Sequence, residues 1–154
     1  MSYHNGLSFD TLRGANAARL PTFRNARGEI AHAKHDGSDW SPGDWMTAVV
    51  GELGEAANIM KKLRRGDYGN EGSDANIAAY EALAREFADV VIYLDILAMQ
   101  FTIDLGKAVH VKFNEVSKRV GSPIYIGHDG DWHLDEALAA KHWGKTYGTT
   151  VATE

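Results

Sequence analysis

Apolar residues recur at helical spacing in two long stretches of the chain, residues 45–65 and 78–101. The first stripe consists of Trp45, Val49, Leu53, Ala56, Met60 and Leu63, and the second of Leu83, Phe87, Val90, Val91, Leu94, Leu97, Ala98 and Phe101. Ser41 followed by Pro42 is a typical helix start, and Gly66 is a typical helix stop. The pattern therefore predicts two long amphipathic helices whose stripes form the core.

Weaker patterns flank the two long helices. They predict further helices at residues 2–19, 104–120 and 135–142, an irregular segment at 20–42 and a frayed end at 148–154. No stretch alternates between apolar and polar residues for long enough to predict a sheet. Amphipathic helices with short connections are typical of helical bundles, so the expected fold is all-α.

Length and composition narrow the range of functions. A chain of 154 residues favours a single domain, here with a core at 40–120 and peripheral segments at 1–39 and 121–154. The absence of cysteine excludes disulfides, Cys-ligated zinc and a thiol nucleophile. A net charge of −5 gives no reason to expect duplex nucleic acid as a partner. Without a long apolar run or a secretory signal, no membrane partner is expected, and the predicted location is the cytoplasm.

Each long helix carries a pair of carboxylates at i, i+3 spacing, Glu52 with Glu55 and Glu86 with Asp89. Residues so spaced share one helix face, and both pairs adjoin the apolar stripe of their helix. If the stripes pack together the four carboxylates meet, and two of them ~5 Å apart repel by about 3 kcal/mol at an effective dielectric of ~20. A divalent cation removes this repulsion, and oxygen-only ligands suit Mg²⁺, Mn²⁺ or Ca²⁺.

Two other interpretations of the carboxylate pairs stand beside the metal site. Glu-x-x-Glu is common on solvated helix surfaces, so spacing alone leaves surface charge and a metal site about equally open. A di-iron site fits less well, because such bundles use Glu-x-x-His and the second position here is Glu55 or Asp89.

These motifs, with Tyr93 and a downstream Lys112-Phe-Asn114, resemble those of the MazG-like all-α nucleoside triphosphate pyrophosphohydrolases, in the short form common in phage genomes. The resemblance runs over residues 40–119. It implies hydrolysis of a (d)NTP to the monophosphate and pyrophosphate, a nucleotide-pool or housecleaning role, and a homodimer or homotetramer, in the host cytoplasm if a phage encodes the chain. It also implies Mg²⁺, with Mn²⁺ as a substitute, bound by Glu52, Glu55, Glu86 and Asp89.

Phosphate contacts are expected from cations near the family motifs. Lys112 adjoins the apolar stripe of its predicted helix, where an ammonium group needs an anion. It is therefore expected to bind phosphate, with help from Asn114 and Arg119. Lys61 and Lys62, at the end of the first long helix, are further candidates, although cations there also suit the helix dipole.

Base contacts are expected from aromatic and amide side chains near the carboxylates. Tyr93 and Asn58 fall on the faces of Asp89 and Glu55 and are expected to line a base pocket, while Trp40 is expected to stack on the base. The histidines show no ligand spacing, and His32 and His35 are expected to be loop residues.

Two alternatives to the pyrophosphohydrolase remain open at the level of the sequence. One is a helical module that binds nucleotides for regulation and lacks turnover, which the four intact carboxylates disfavour. The other is a related hydrolase that acts on an alarmone or a nucleotide conjugate. The preferred base and sugar do not follow from the sequence.

Overall fold

A computed structural model describes residues 6–143, and it confirms the all-α prediction. The chain divides into two compact units, one up to Leu105 and one from Gly106 onward. The helices are α1 (Phe9–Arg19), α2 (Pro42–Arg65), α3 (Asp74–Gln100), α4 (Leu105–Val120) and α5 (Glu136–Trp143), with a 3₁₀ turn at Leu20–Thr22 and strands β1 (Ile124–Ile126) and β2 (Trp132–Leu134). None of the helices in the described part of the chain is long and apolar enough to cross a membrane.

The two long helices lie where the sequence predicts them, and their ends show why. Ser41 and Asp44 form a reciprocal capping box at the start of α2, in which each side chain accepts a hydrogen bond from the other residue's backbone N–H. Pro42 occupies the first turn, where its missing N–H costs no hydrogen bond. Gly66 ends α2 with φ 78°, a left-handed conformation that glycine adopts without strain.

The core of the first unit joins α2 and α3 to the segment that precedes them. Its fully buried centre consists of Leu20, Trp45, Ile96 and Leu97, and Ile92, Tyr93 and Met99 pack against it. Leu20 belongs to the segment 1–39, for which the sequence suggested a peripheral place, and its side chain is completely buried. The N-terminal segment thus contributes directly to the core beneath α2 and α3.

A buried polar cluster fastens α1 to α3. Asp95 is fully buried and accepts hydrogen bonds from the Arg13 Nε (2.9 Å) and the Asn16 Nδ2 (2.9 Å). The Arg13 Nη2 also lies 2.8 Å from the Asp95 Oδ1 and donates to the Ile103 carbonyl. Each oxygen of this carboxylate therefore has a donor, as a buried charge requires.

Much of the predicted apolar stripe is not buried within one chain, so that part of the core prediction is wrong. Trp45, Val49, Ala56, Leu97 and Ala98 are buried, but the other large stripe members Leu53, Met60, Phe87, Val91, Leu94 and Phe101 are 38–56% exposed. The physical reason is that α1 meets α3 at the end that carries Asn16 and Asp95, which leaves most of the α2–α3 pair uncovered.

The second unit contains a short antiparallel hairpin, which corrects the expectation of no sheet. Ile124 pairs with Leu134 and Ile126 with Trp132, and the turn between the strands is closed by the Gly130 N–H, which donates to the Gly127 carbonyl. Strands of three residues are too short to show a period-two pattern, which explains why the sequence analysis missed them.

Candidate active site

Three carboxylates from the two long helices meet at one place. Glu52 of α2 and Glu86 and Asp89 of α3 each offer an oxygen atom within 4.8 Å of the others, and all three side chains are half-buried. Among residues 6–143, no lysine or arginine forms an ion pair with any of them. The cluster therefore holds negative charge that the described protein does not neutralise.

The electrostatics of Glu52 reflect this crowding. Burial raises the pKa of the Glu52 carboxyl, and a hydrogen bond with Glu86 and the charges of Asp89, Glu55 and Glu86 raise it further. Both effects disfavour the anion, so the site gains stability by taking up a positive charge. A set of carboxylate oxygens at this spacing suits a hard divalent cation such as Mg²⁺ or Mn²⁺.

Glu55 stands beside the cluster without being part of the three-oxygen group. It lies on the face of α2 that carries Glu52, and its side chain is exposed. Its charge reaches the cluster, since it is one of the causes of the raised pKa of Glu52. Its predicted role as a ligand stays a prediction.

An aromatic cavity of about 290 Å³ adjoins the cluster through Asp89. Its lining consists of Arg19, Phe23, Arg24, Ala31, His32, Trp40, Trp45, Asp89, Ile92, Tyr93 and Ile96. Trp45 is 1% exposed, as expected of a core residue, while Trp40 is 41% exposed, with its ring centroid 4.8 Å from that of Trp45. Tyr93 lines the same cavity, with its ring 6.0 Å from that of Trp45.

The loop that carries Trp40 is held by backbone hydrogen bonds. The Trp45 Nε1 donates to the Gly37 carbonyl (2.9 Å), and the Gln100 Nε2 donates to the carbonyls of Gly37 (2.6 Å) and Trp40 (3.0 Å). Gly37 has φ 69°, and a Cβ there would lie 2.9 Å from the Ile96 Cγ2. Only glycine fits this position, so the loop is fixed against α3 and fixes Trp40 in turn.

His32 is a pocket residue that the sequence analysis missed. Its side chain is 9% exposed, and its ring lies 4.7 Å from Trp40, 5.1 Å from Trp45 and 6.1 Å from Phe23, measured between ring centroids. His32 lies in a loop, as expected, but the sequence analysis did not place it in a pocket. The concentration of aromatic residues between positions 23 and 45 is the one sequence signal that could have indicated it.

The remaining predicted contacts on α2 lie at the surface or near it. Asn58 and Lys61 are exposed, and Lys62 is half-buried. Lys62 also stands in the last turn of the helix, as the dipole argument allows.

The predicted contacts on α4 belong to the second unit. Lys112 is 63% exposed and pairs with Glu115 (2.8 Å), so the expectation of a lysine at a buried edge is not met. The Asn114 amide donates to the Ile126 carbonyl and accepts from the Ile126 N–H, both at 2.8 Å, which ties β1 to α4. Arg119 is exposed in the last turn of the helix.

Comparison with known proteins finds relatives that share one name. The chain is 36% identical over 80 residues to dCTP pyrophosphatase 1 of Homo sapiens, covering 49% of this chain and 46% of that protein. It is 30% identical over 120 residues to the Rattus norvegicus protein of that name (75% and 64%), and 29% identical over 116 residues to the Bos taurus one (73% and 62%). The chain spans about half to two thirds of the length of these relatives. No family model and no solved structure matches it.

Proposed function

We propose that this protein is a Mg²⁺-dependent nucleoside triphosphate pyrophosphohydrolase that converts a (d)NTP and water to the (d)NMP and pyrophosphate. The observation that carries the proposal is the cluster of Glu52, Glu86 and Asp89, which lacks a cationic partner in the described chain and borders an aromatic cavity. The similarity to proteins named dCTP pyrophosphatase supports the same activity. The reaction needs a metal ion that binds the phosphates and, next to it, a pocket that binds the base.

The carboxylates have two roles, which are to bind the cation and to orient the attacking water. Glu52, Glu86 and Asp89, with Glu55 next to them, would hold Mg²⁺, which when bound neutralises phosphate oxygens and lowers the pKa of coordinated water. A carboxylate of the group that remains free to accept a hydrogen bond orients the attacking water and takes its proton. The crowding that raises the pKa of Glu52 favours the bound cation over the empty cluster.

The cavity positions the nucleoside. The partly exposed ring of Trp40 offers a face on which a base stacks. Burial raises the pKa of the Tyr93 hydroxyl, and the charges of Glu52 and Asp89 raise it further. Tyr93 therefore keeps its proton at neutral pH and donates a hydrogen bond to the sugar or the nearest phosphate.

Further substrate contacts are proposed from the sequence motifs alone. Lys61 and Lys62 on α2 and Lys112 and Arg119 on α4 remain proposed phosphate contacts, and Asn58 and Asn114 remain proposed polar contacts.

The proposal includes assembly of two or four copies. Exposed apolar residues follow one another along α2 and α3, namely Met46, Val50, Leu53, Met60, Ile77, Tyr80, Phe87, Val91 and Leu94. A stripe of this length on a monomer is unfavourable in water, and a second copy with the same stripe would cover it under two-fold symmetry. Light scattering at micromolar concentration should give the mass of a dimer or a tetramer.

The test of the activity is product analysis on a panel of nucleotides. The protein, with millimolar Mg²⁺ or with EDTA, is incubated with each dNTP and NTP, and both the monophosphate and pyrophosphate are quantified. We expect equal amounts of the two products with Mg²⁺ and none with EDTA. Nucleotide binding without turnover would favour the regulatory module, and turnover of an alarmone or a nucleotide conjugate alone would favour the other hydrolase.

A further inference from the structure

His32 stands out among the buried polar groups of the described chain. Its Nδ1 is buried and has no hydrogen-bond partner. Among the described residues, no other buried side-chain nitrogen or oxygen lacks one. The imidazole nevertheless lines the cavity beside Asp89, with aromatic rings packed around it. No hydrogen bond within the described chain therefore fixes the ring, so the imidazole is available to a ligand in the cavity.

Asp39 decides which ring nitrogen can accept a hydrogen bond. The Asp39 Oδ1 lies 3.7 Å from the His32 Nδ1, and the Asp39 Oδ2 is held by the Ala33 N–H at 2.7 Å. A carboxylate next to Nδ1 favours the tautomer with the proton on Nδ1. The other nitrogen, Nε2, is then an acceptor, and it is the one left for a ligand.

The charges that line the cavity have both signs, since Arg19 and Arg24 face it together with Asp89. Charge alone therefore does not choose between a donor and an acceptor on the base, and the hydrogen-bonding atom of His32 makes that choice. A base that enters with an exocyclic amino group finds an acceptor in His32. A base with a keto oxygen in place of the amino group would bring an acceptor next to the His32 Nε2, which is also an acceptor, so no hydrogen bond would form.

We propose that His32, oriented by Asp39, is the residue that selects the base, and that it favours bases with an exocyclic amino group over their keto counterparts. This inference rests on the proposed function for its nucleotide, and it adds the residue and the chemical group that decide specificity. Trp40 contributes stacking, which every base provides, and His32 contributes the discrimination.

The experiment uses pairs of nucleotides in which a keto group replaces the exocyclic amino group and the adjacent ring nitrogen gains a proton, namely dCTP with dUTP and dATP with dITP. We expect wild-type kcat/KM to favour the amino member by about 10- to 100-fold, the range expected when one hydrogen bond is replaced by two opposed acceptors. His32→Phe keeps an aromatic ring against Trp40 and Trp45 and should bring the ratio close to one. Trp40→Ala should weaken both members of a pair alike and keep the ratio.

Two controls separate selection from folding. His35→Phe changes a histidine that lies outside the cavity and binds the Ala17 carbonyl, so its ratio should equal that of the wild type. If His32→Phe does not give a wild-type circular dichroism spectrum, His32→Gln takes its place. Its amide can present a donor or an acceptor, so the ratio should again approach one.

Binding of the monophosphates dCMP, dUMP, dAMP and dIMP, measured by calorimetry, separates this inference from the proposed function. If wild type releases no pyrophosphate but binds dCMP and dAMP better than dUMP and dIMP, and His32→Phe loses the preference, the activity is wrong and the base selection holds. A wild type that treats the members of each pair alike would overturn the inference. So would a folded His32→Phe that keeps the wild-type preference.

Discussion

Two aspartates on α3, Asp89 and Asp95, lie less than two helical turns apart and have opposite surroundings. Asp95 is fully buried, and Arg13 and Asn16 donate to its two oxygens. Asp89 is half-buried, and its neighbours in the cluster are the carboxylates of Glu52 and Glu86. Asp95 thus stabilises the fold through its partners, whereas Asp89 carries a negative charge that no cation of the described chain neutralises and that a ligand can bind.

The difference teaches how a structural acid is told from a functional one. By burial alone Asp95 would be the more unusual carboxylate of the two. Its hydrogen bonds with Arg13 and Asn16, however, fully compensate for the cost of burying its charge. The carboxylates around Asp89 are less buried, but the described chain supplies no cation for them. The partner set of each carboxylate therefore indicates its role better than the depth at which it lies.

Asp89→Asn should give the largest effect of the comparison, and it should appear in activity. The amide keeps the shape of the side chain but removes a ligand charge, so turnover should fall on the order of 10³-fold while the helical circular dichroism stays unchanged. Asp74→Asn, an exposed aspartate in the first turn of the same helix, is the matched control and should keep wild-type turnover. Near-normal turnover in Asp89→Asn would contradict the site.

Asp95→Asn should show the reverse pattern, with a loss of stability. The change leaves Arg13 without its anion and places an amide donor against the Asn16 donor. The free energy of unfolding should fall by about 3 kcal/mol, the lower end of the range for breaking a buried pair because Arg13 is partly exposed. Urea unfolding measures it, with the exposed Asp131→Asn as the control. An unchanged midpoint would show that the Arg13–Asp95 pair does not support the fold.

The sequence predicts those features of the two regions that depend on interactions within one helix, and it does not predict those that depend on contacts between distant parts of the chain. The i, i+3 spacing and the Ser41 and Gly66 caps act within one helix, so the positions of Glu52 and Glu86 followed from the sequence. The place of His32 depends on a loop that Gln100 holds from the far end of α3, at a sequence separation of 63 residues from Gly37. Long-range contacts of this kind leave no periodic signal.

The exposed stripe has a similar explanation. Residues such as Phe87 and Val91 carry the helical spacing of a core, and the sequence cannot distinguish a core within one chain from one shared between copies. The hairpin of the second unit was missed because each strand spans three residues.

Glu52→Gln should give the smallest effect, and the size of that effect depends on pH. Because the pKa of Glu52 is raised in the folded protein, the metal-free fold binds a proton more tightly than the unfolded chain does. Its free energy of unfolding is therefore reduced as the pH rises from the ordinary glutamate range through the raised pKa. Without metal, Glu52→Gln should be slightly more stable than wild type at neutral pH and lose this advantage in acid. The exposed Glu71→Gln should show neither change, and a less stable Glu52→Gln at neutral pH would contradict the repulsion.

The most direct measurement of the central claim is thermal unfolding of EDTA-treated protein over a series of Mg²⁺ concentrations, without nucleotide. A cation that binds only the folded state stabilises it by RT ln(1 + [Mg²⁺]/Kd), so the Tm of wild type should rise steadily with concentration. Asp74→Asn should follow the same curve, and Asp89→Asn should stay flat. A wild-type Tm that does not change with Mg²⁺, or an equal rise in Asp89→Asn, would contradict the claim that the carboxylates around Asp89 bind a metal ion.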